Sequence, residues 1–97
     1  MAPIARTVLS LWKGELPARL SMAEIAAAVA DQHRVSVAEI RGRGRNARLV
    51  AARQRFMAEA YAQGRWSQPT IGRWLDGRDH STIHHGIAAH RGRAARP

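Results

Sequence analysis

Residues 66–87 read "WSQPTIGRWLDGRDHSTIHHGI", and this stretch holds two helix starts separated by one break. Ser67 stands where an N-cap is needed, and Pro69 falls in the first turn, where its missing N–H costs nothing. Trp66 and Ile71 are spaced as a hydrophobic staple, and Ile71, Trp74 and Leu75 face one side. Asp76-Gly77-Arg78 then interrupts the pattern. Asp-Gly often nucleates a hairpin, but no alternating strand lies on either side, so a helix-to-helix turn is expected. Asp79 caps a second helix, with Ile83 and Ile87 one turn apart. A short first helix, a tight glycine turn and a second helix with a polar start are the proportions of a helix-turn-helix.

Working outward, the upstream chain repeats the same local devices. In "LSMAEI" Ser21 caps, Glu24 returns the capping bond, and Leu20 and Ile25 form a staple. The helix that follows places Ile25, Ala28, Val29 and Gln32 on one face and frays near His33. "VSVAEI" repeats the device with Ser36, Glu39, Val35 and Ile40, and ends at "RGRGR", residues 41–45, a basic glycine loop. A longer helix is expected from Asn46 to Gln63, with Leu49, Ala52, Phe56 and Ala60 in one stripe, Val50, Met57 and Tyr61 beside it, and Gly64 ending it. Nearer the start, Ile4, Val8, Leu11 and Trp12 have near-helical spacing before Gly14 and Pro17 interrupt. The expected fold is all-α: a compact helical domain with a helix-turn-helix and a basic loop. Residues 1–20 are an extension, 21–90 the domain, and 91–97 a basic disordered tail.

Ninety-seven residues suit one domain with one modest core, and leave no room for a separate catalytic unit. The absence of cysteine excludes disulfide frameworks and thiolate metal sites. The net charge of +9 implies a polyanionic partner, most often nucleic acid. Much of it is concentrated: residues 34–55 carry seven arginines against Glu39 alone. No stretch is long and apolar enough for a membrane span, and Arg6 and Lys13 break the apolar N-terminal patch, so no signal peptide is read and a cytoplasmic, nucleoid-associated location is expected.

Residues 78–87, "RDHSTIHHGI", invite three chemistries. His80 and His84 stand at i, i+4, as metal ligands on one helical face do, with Asp76 or Asp79 to add oxygen. However, no glutamate follows the first histidine and no third imidazole shares the face. Ser81 beside His80 suggests a nucleophile, yet adjacent helical residues diverge and do not face each other. The third reading fits the helix-turn-helix: Asp79, His80, Ser81 and Thr82 occupy the first turn of the second helix, where base edges are read. A carboxylate accepts from the cytosine amino group, a hydroxyl bonds either partner, and threonine offers a methyl to thymine. Asp79 also serves as the cap. His85 follows nearly one turn later on the same side, His84 points towards solvent or backbone phosphate, and His90 is read as a helix-end residue. No enzyme activity, metal, nucleotide or other cofactor is expected.

The run "IGRWLDGRDHSTIHHGI", with Ala52-Arg53-Gln54 and "VSVAEI" upstream, resembles the C-terminal DNA-binding domain of the bacterial chromosomal replication initiator DnaA family, over about residues 21–90. The resemblance implies double-stranded DNA as partner and a short asymmetric box bound by one copy. It implies Arg45 in the minor groove, and Arg53 and Gln54 on backbone phosphate. Ser67, Gln68 and Pro69 would approach the backbone and a thymine methyl, with Pro69 among the base-contacting residues. Asp79, His80, Ser81, Thr82 and His85 would contact bases. Arg43 and Arg78 are expected as further phosphate ligands.

The sequence also departs from that family. About twenty residues precede the similar region, where the initiator carries an ATPase domain, and there is no glycine-rich phosphate loop. The chain stops where the family adds a further helix, and residues 3–13 are expected to cover that face. Gly86 replaces a family alanine and is expected to weaken its helix. Gln68 stands where the family often has an apolar residue, so specificity is expected to differ there. A reading domain without its motor is expected to act as a transcription activator or regulator. Such stand-alone domains resemble the DNA-binding half of activators of phage-derived or gene transfer agent genes. A sigma-like or RNA polymerase-associated partner would then dock at Trp12. The alternatives are a replication-origin accessory on DnaA-type boxes, and a non-specific nucleoid or RNA-binding protein.

Overall fold

The computed structural model describes residues 19–95, so the helical spacing read at Ile4, Val8, Leu11 and Trp12, the cover expected from residues 3–13 and the docking role of Trp12 lie outside the described residues. Within them there are five helices and no strand: α1 (Met22–His33), α2 (Val37–Arg41), α3 (Ala47–Ala62), α4 (Gln68–Trp74) and α5 (His80–Ala94). Each start is fixed by the side chain the sequence places there. Ser21 and Glu24 form a reciprocal capping box at 2.9 and 3.1 Å, and Ser36 and Glu39 another at 2.9 and 3.0 Å. Asn46 Oδ1 accepts from the Leu49 N–H at 3.0 Å, Ser67 Oγ from Thr70 at 3.2 Å, and Asp79 Oδ1 from Ser81 at 2.8 Å. Losing one such cap costs about 1 kcal/mol. At the other end, α1 stops at Arg34, which adopts left-handed φ 57°, ψ 46° so that Val35 N–H reaches Ala30 O at 3.0 Å.

The core lies around α3, which packs on all four other helices. Phe56 is its centre, fully buried with Ile25 and Val29 of α1, Ile40 of α2, Ile71 of α4, Leu75 after it, and Ile83 of α5. The Phe56 ring stacks on Trp74 with centroids 5.1 Å apart. Complete burial of each such side chain contributes about 1.5–3 kcal/mol.

Two glycines stand at close approaches, one inside the helix-turn-helix and one between α5 and α3. A Cβ on Gly72 would stand 2.0 Å from the Arg78 carbonyl oxygen, because the turn doubles back and Arg78 N–H bonds Gly72 O at 2.8 Å. Asp76 and Gly77 make that reversal with φ of 63° and 76°. On α5, a Cβ on Gly86 would meet Met57 Sδ at 2.2 Å. Beside the weakening of the helix expected from its low propensity, the missing side chain leaves the space that Met57 of α3 occupies. The tail boundary is corrected. Residues 91–94, expected to be disordered, continue α5, tied to α3 by Arg93 Nη2 donating to Gln54 Oε1 at 2.8 Å. Arg91 and Arg93 in the last turn also complement the helix dipole.

Candidate nucleic-acid interface

The first turn of α5 projects Asp79, His80, Ser81 and Thr82 outward, and all four are exposed, as is His85 one turn on. Ile83 and Ile87 point the other way into the core, so packing alone fixes which face of α5 is presented. Asp79 is held by its cap bond to Ser81 N–H, and His80 Nδ1 lies 3.5 Å from Asp79 Oδ1. Behind this turn, α3 and α5 enclose an open groove of about 440 Å³ lined by Arg53, Gln54, Arg78, Thr82 and His85, among others. Five of the sequence-predicted site residues thus share one concave surface. Ser67, Gln68 and Pro69 are not among its lining residues. They sit at the start of α4, where Ser67 Oγ and Thr70 Oγ1 are 2.9 Å apart and Arg73 donates to Thr70.

The arginines divide into two kinds. Arg45 and Arg48 are exposed and, among the described residues, make no hydrogen bond or ion pair, so both guanidinium groups are available to an anion. Sequence reasoning missed Arg48. Its position three residues after Arg45, where loop passes into helix, is the signal that would have found it. Arg41, Arg43, Arg53 and Arg78 instead tie the loop to the rest of the domain. Arg53 is 7% exposed and donates from Nε to Ile40 O at 2.8 Å, from Nη1 to Gly44 O at 3.0 Å and from Nη2 to Glu39 O at 2.9 Å. Burial, and then the charge of Arg43, pull its pKa below the ordinary arginine value. Arg53, expected as a phosphate ligand, is also an internal tie: each of its three guanidinium nitrogens donates to a backbone carbonyl.

Arg78 behaves similarly. It donates from Nη1 to Leu75 O at 2.8 Å and Arg41 O at 3.3 Å, and from Nη2 to Gly42 O. Burial, then Arg53 and Arg43, lower its pKa, against a smaller opposite effect of Asp76. Arg43 donates to Asp76 O at 2.8 Å and keeps its guanidinium 3.6 Å from the Asp76 carboxylate, both side chains being well exposed. Arg41, also missed in the sequence, donates from Nε to Trp74 O at 2.9 Å and lies 4.4 Å over the Trp74 ring. Gln54 is half-buried and engaged by Arg93.

A second histidine pair lies elsewhere. His33 and His90 line another open groove with Arg55, Glu59 and Arg93, and His33 Nε2 is buried without a hydrogen-bond partner. Burial first, and Arg55 next, lower both imidazole pKa values. Among the described residues no three histidine, aspartate or glutamate side chains gather as a metal site would require, and no helix is long and apolar enough to cross a membrane.

Comparison with known proteins agrees with this geometry. Residues 22–89 match the family described as "Bacterial dnaA protein helix-turn-helix". The chain is 35% identical over 82 residues to the chromosomal replication initiator protein DnaA of Rhodopseudomonas palustris (strain BisA53), covering 84% of this chain and 17% of that protein. It is 36% identical over 67 residues to the protein of the same name from Oenococcus oeni (strain ATCC BAA-331 / PSU-1), covering 69% and 15%. The chain therefore spans less than a fifth of the length of these relatives. No solved structure matches it. A capped turn of exposed polar residues on a helix-turn-helix, a basic loop beside it and a family match over most of the chain lead to one conclusion: the protein belongs to the bacterial DnaA helix-turn-helix family and carries its DNA-binding domain.

Proposed function

We propose that this domain recognises a short double-stranded DNA box by placing α5 in the major groove and the Arg45 loop in the adjacent minor groove, and that it acts as a transcription regulator. The observation that carries this reading is the exposed, capped first turn of α5, residues 79–82, beside the available guanidinium groups of Arg45 on the loop and Arg48 at the start of α3. Asp79, His80, Ser81, Thr82 and His85 are assigned to base edges, with Pro69 contacting a thymine methyl. Arg45 is assigned to the narrow, negative minor groove. Ser67, Gln68, Gln54 and Arg43 are assigned to backbone phosphate, and of these Gln54 lines the groove that Arg53 and Arg78 also border. Activation would need a protein partner at RNA polymerase, for which a sigma-like component is the proposed type.

Selection from randomised duplexes followed by competition at physiological salt tests the reading. The domain should prefer its selected site over scrambled duplex by about 10³-fold or more. Thr82→Ala should relax preference at one position and cost about 1–3 kcal/mol there. Equal affinity for every duplex refutes sequence reading. A second role, occupancy of origin boxes, is favoured by the names of the relatives, which are chromosomal replication initiators. Genome-wide binding peaks at promoters support regulation, whereas peaks confined to the origin support that second role.

A further inference from the structure

Two DNA-reading parts that act together need a fixed separation, and side chains from both sides span the gap between loop and turn. Arg78, the last residue of the turn, reaches back to the carbonyls of Arg41 and Gly42 while also bonding Leu75 O. Arg41, at the loop entrance, bonds Trp74 O and lies over its ring. Arg43 bonds Asp76 O. Arg53 holds the same loop through the Glu39 and Ile40 carbonyls just before it and the Gly44 carbonyl within it. These contacts join chain segments more than thirty residues apart, and they converge where the loop meets the turn.

We infer that Arg78 is a positioning residue: its guanidinium clasps the basic loop to the helix-turn-helix turn and sets the spacing at which the two grooves are read as one rigid unit. This rests on the two-groove reading proposed above and adds a mechanical property to it. A planar guanidinium suits the task because it presents several donors in fixed directions, whereas a lysine ammonium acts as a single compact charge on a flexible stem. A rigid clasp has a measurable signature. One extra base pair displaces the minor-groove half of a box by about 3.4 Å and rotates it by about 35° about the helix axis. A clasped loop fails to follow this change, and a released loop follows it.

The test compares the selected site with the same site carrying one inserted base pair between its minor-groove and major-groove halves. Wild-type protein should lose about tenfold in affinity on insertion. Arg78→Lys, which keeps the charge, should reduce that ratio to about threefold or less while retaining base preference in the major-groove half. Arg41→Lys should move the ratio in the same direction, and it decides the matter if circular dichroism shows Arg78→Lys unfolded. The clasp is refuted if wild type tolerates the insertion. It is also refuted if Arg78→Lys, or Arg41→Lys when that variant decides, discriminates as strongly as wild type or weakens both duplexes equally. A wild type with no preference for its site over scrambled duplex instead overturns the proposed function, and the clasp with it.

Discussion

Replacing Arg53 by leucine separates two roles that its position in the sequence leaves together. Leucine keeps much of the buried aliphatic volume, so the change removes chiefly the guanidinium and its three bonds to Ile40, Gly44 and Glu39 carbonyls. The bond to Ile40 is buried and the other two partly so. Taking about 2 kcal/mol for a buried bond to a charged donor and about 1 kcal/mol for each partly exposed one gives a loss of about 4 kcal/mol. A domain of this size has only about 5–15 kcal/mol of stability in total, and each kcal/mol shifts Tm by about 4–8 °C. Thermal melting followed by circular dichroism should therefore show Tm falling by roughly 15–30 °C. Arg53→Lys should recover only part of this, because one ammonium cannot meet three divergent carbonyls. Were Arg53 an ordinary phosphate ligand, the outcome would be different. Tm would stay nearly unchanged, and all duplexes would bind more weakly, with the salt slope lowered by about one. That second pattern would refute the structural role.

Gly72→Ala should cost about 3 kcal/mol or more by melting, since its Cβ would strike a backbone oxygen that cannot rotate away, and a variant as stable as wild type would sink the close-turn account. The histidine pair predicts a pH dependence. Because folded His33 and His90 have pKa values below 6.5, the unfolded chain binds more protons between the folded values and that number, so stability should fall as pH drops through 6.5 and level off below the folded values. Denaturant titrations at stepped pH should show this loss, and His33→Gln with His90→Gln should flatten it. Arg34→Gly should raise Tm by a few degrees, because glycine occupies the left-handed φ of 57° without the arginine penalty. An unchanged or lower Tm would refute that strain.

Helix starts were legible because a cap involves residues two or three apart: Ser21 with Glu24, Ser36 with Glu39, Ser67 with Thr70 and Asp79 with Ser81. The exposed face of the first turn of α5 was legible from helical periodicity, since Ile83 and Ile87 turn the opposite side into the core. Distances between elements were not. Gly86 looked like a weak point because helix propensity is local, whereas its approach to Met57 is set by the crossing of two helices. Arg53 looked like a surface charge because its acceptors lie nine to fourteen residues away in the chain. The last helical turn was missed because Gln54, which holds Arg93, lies thirty-nine residues upstream.

The bond between Asp79 and Ser81 fastens the opening of α5 before any duplex arrives. Backbone freedom there has already been lost on folding, so encounter with DNA asks for little additional ordering of the very atoms that would touch bases. A short domain can in this way discriminate among duplexes with few contacts, and its search along DNA need not wait for a helix to form.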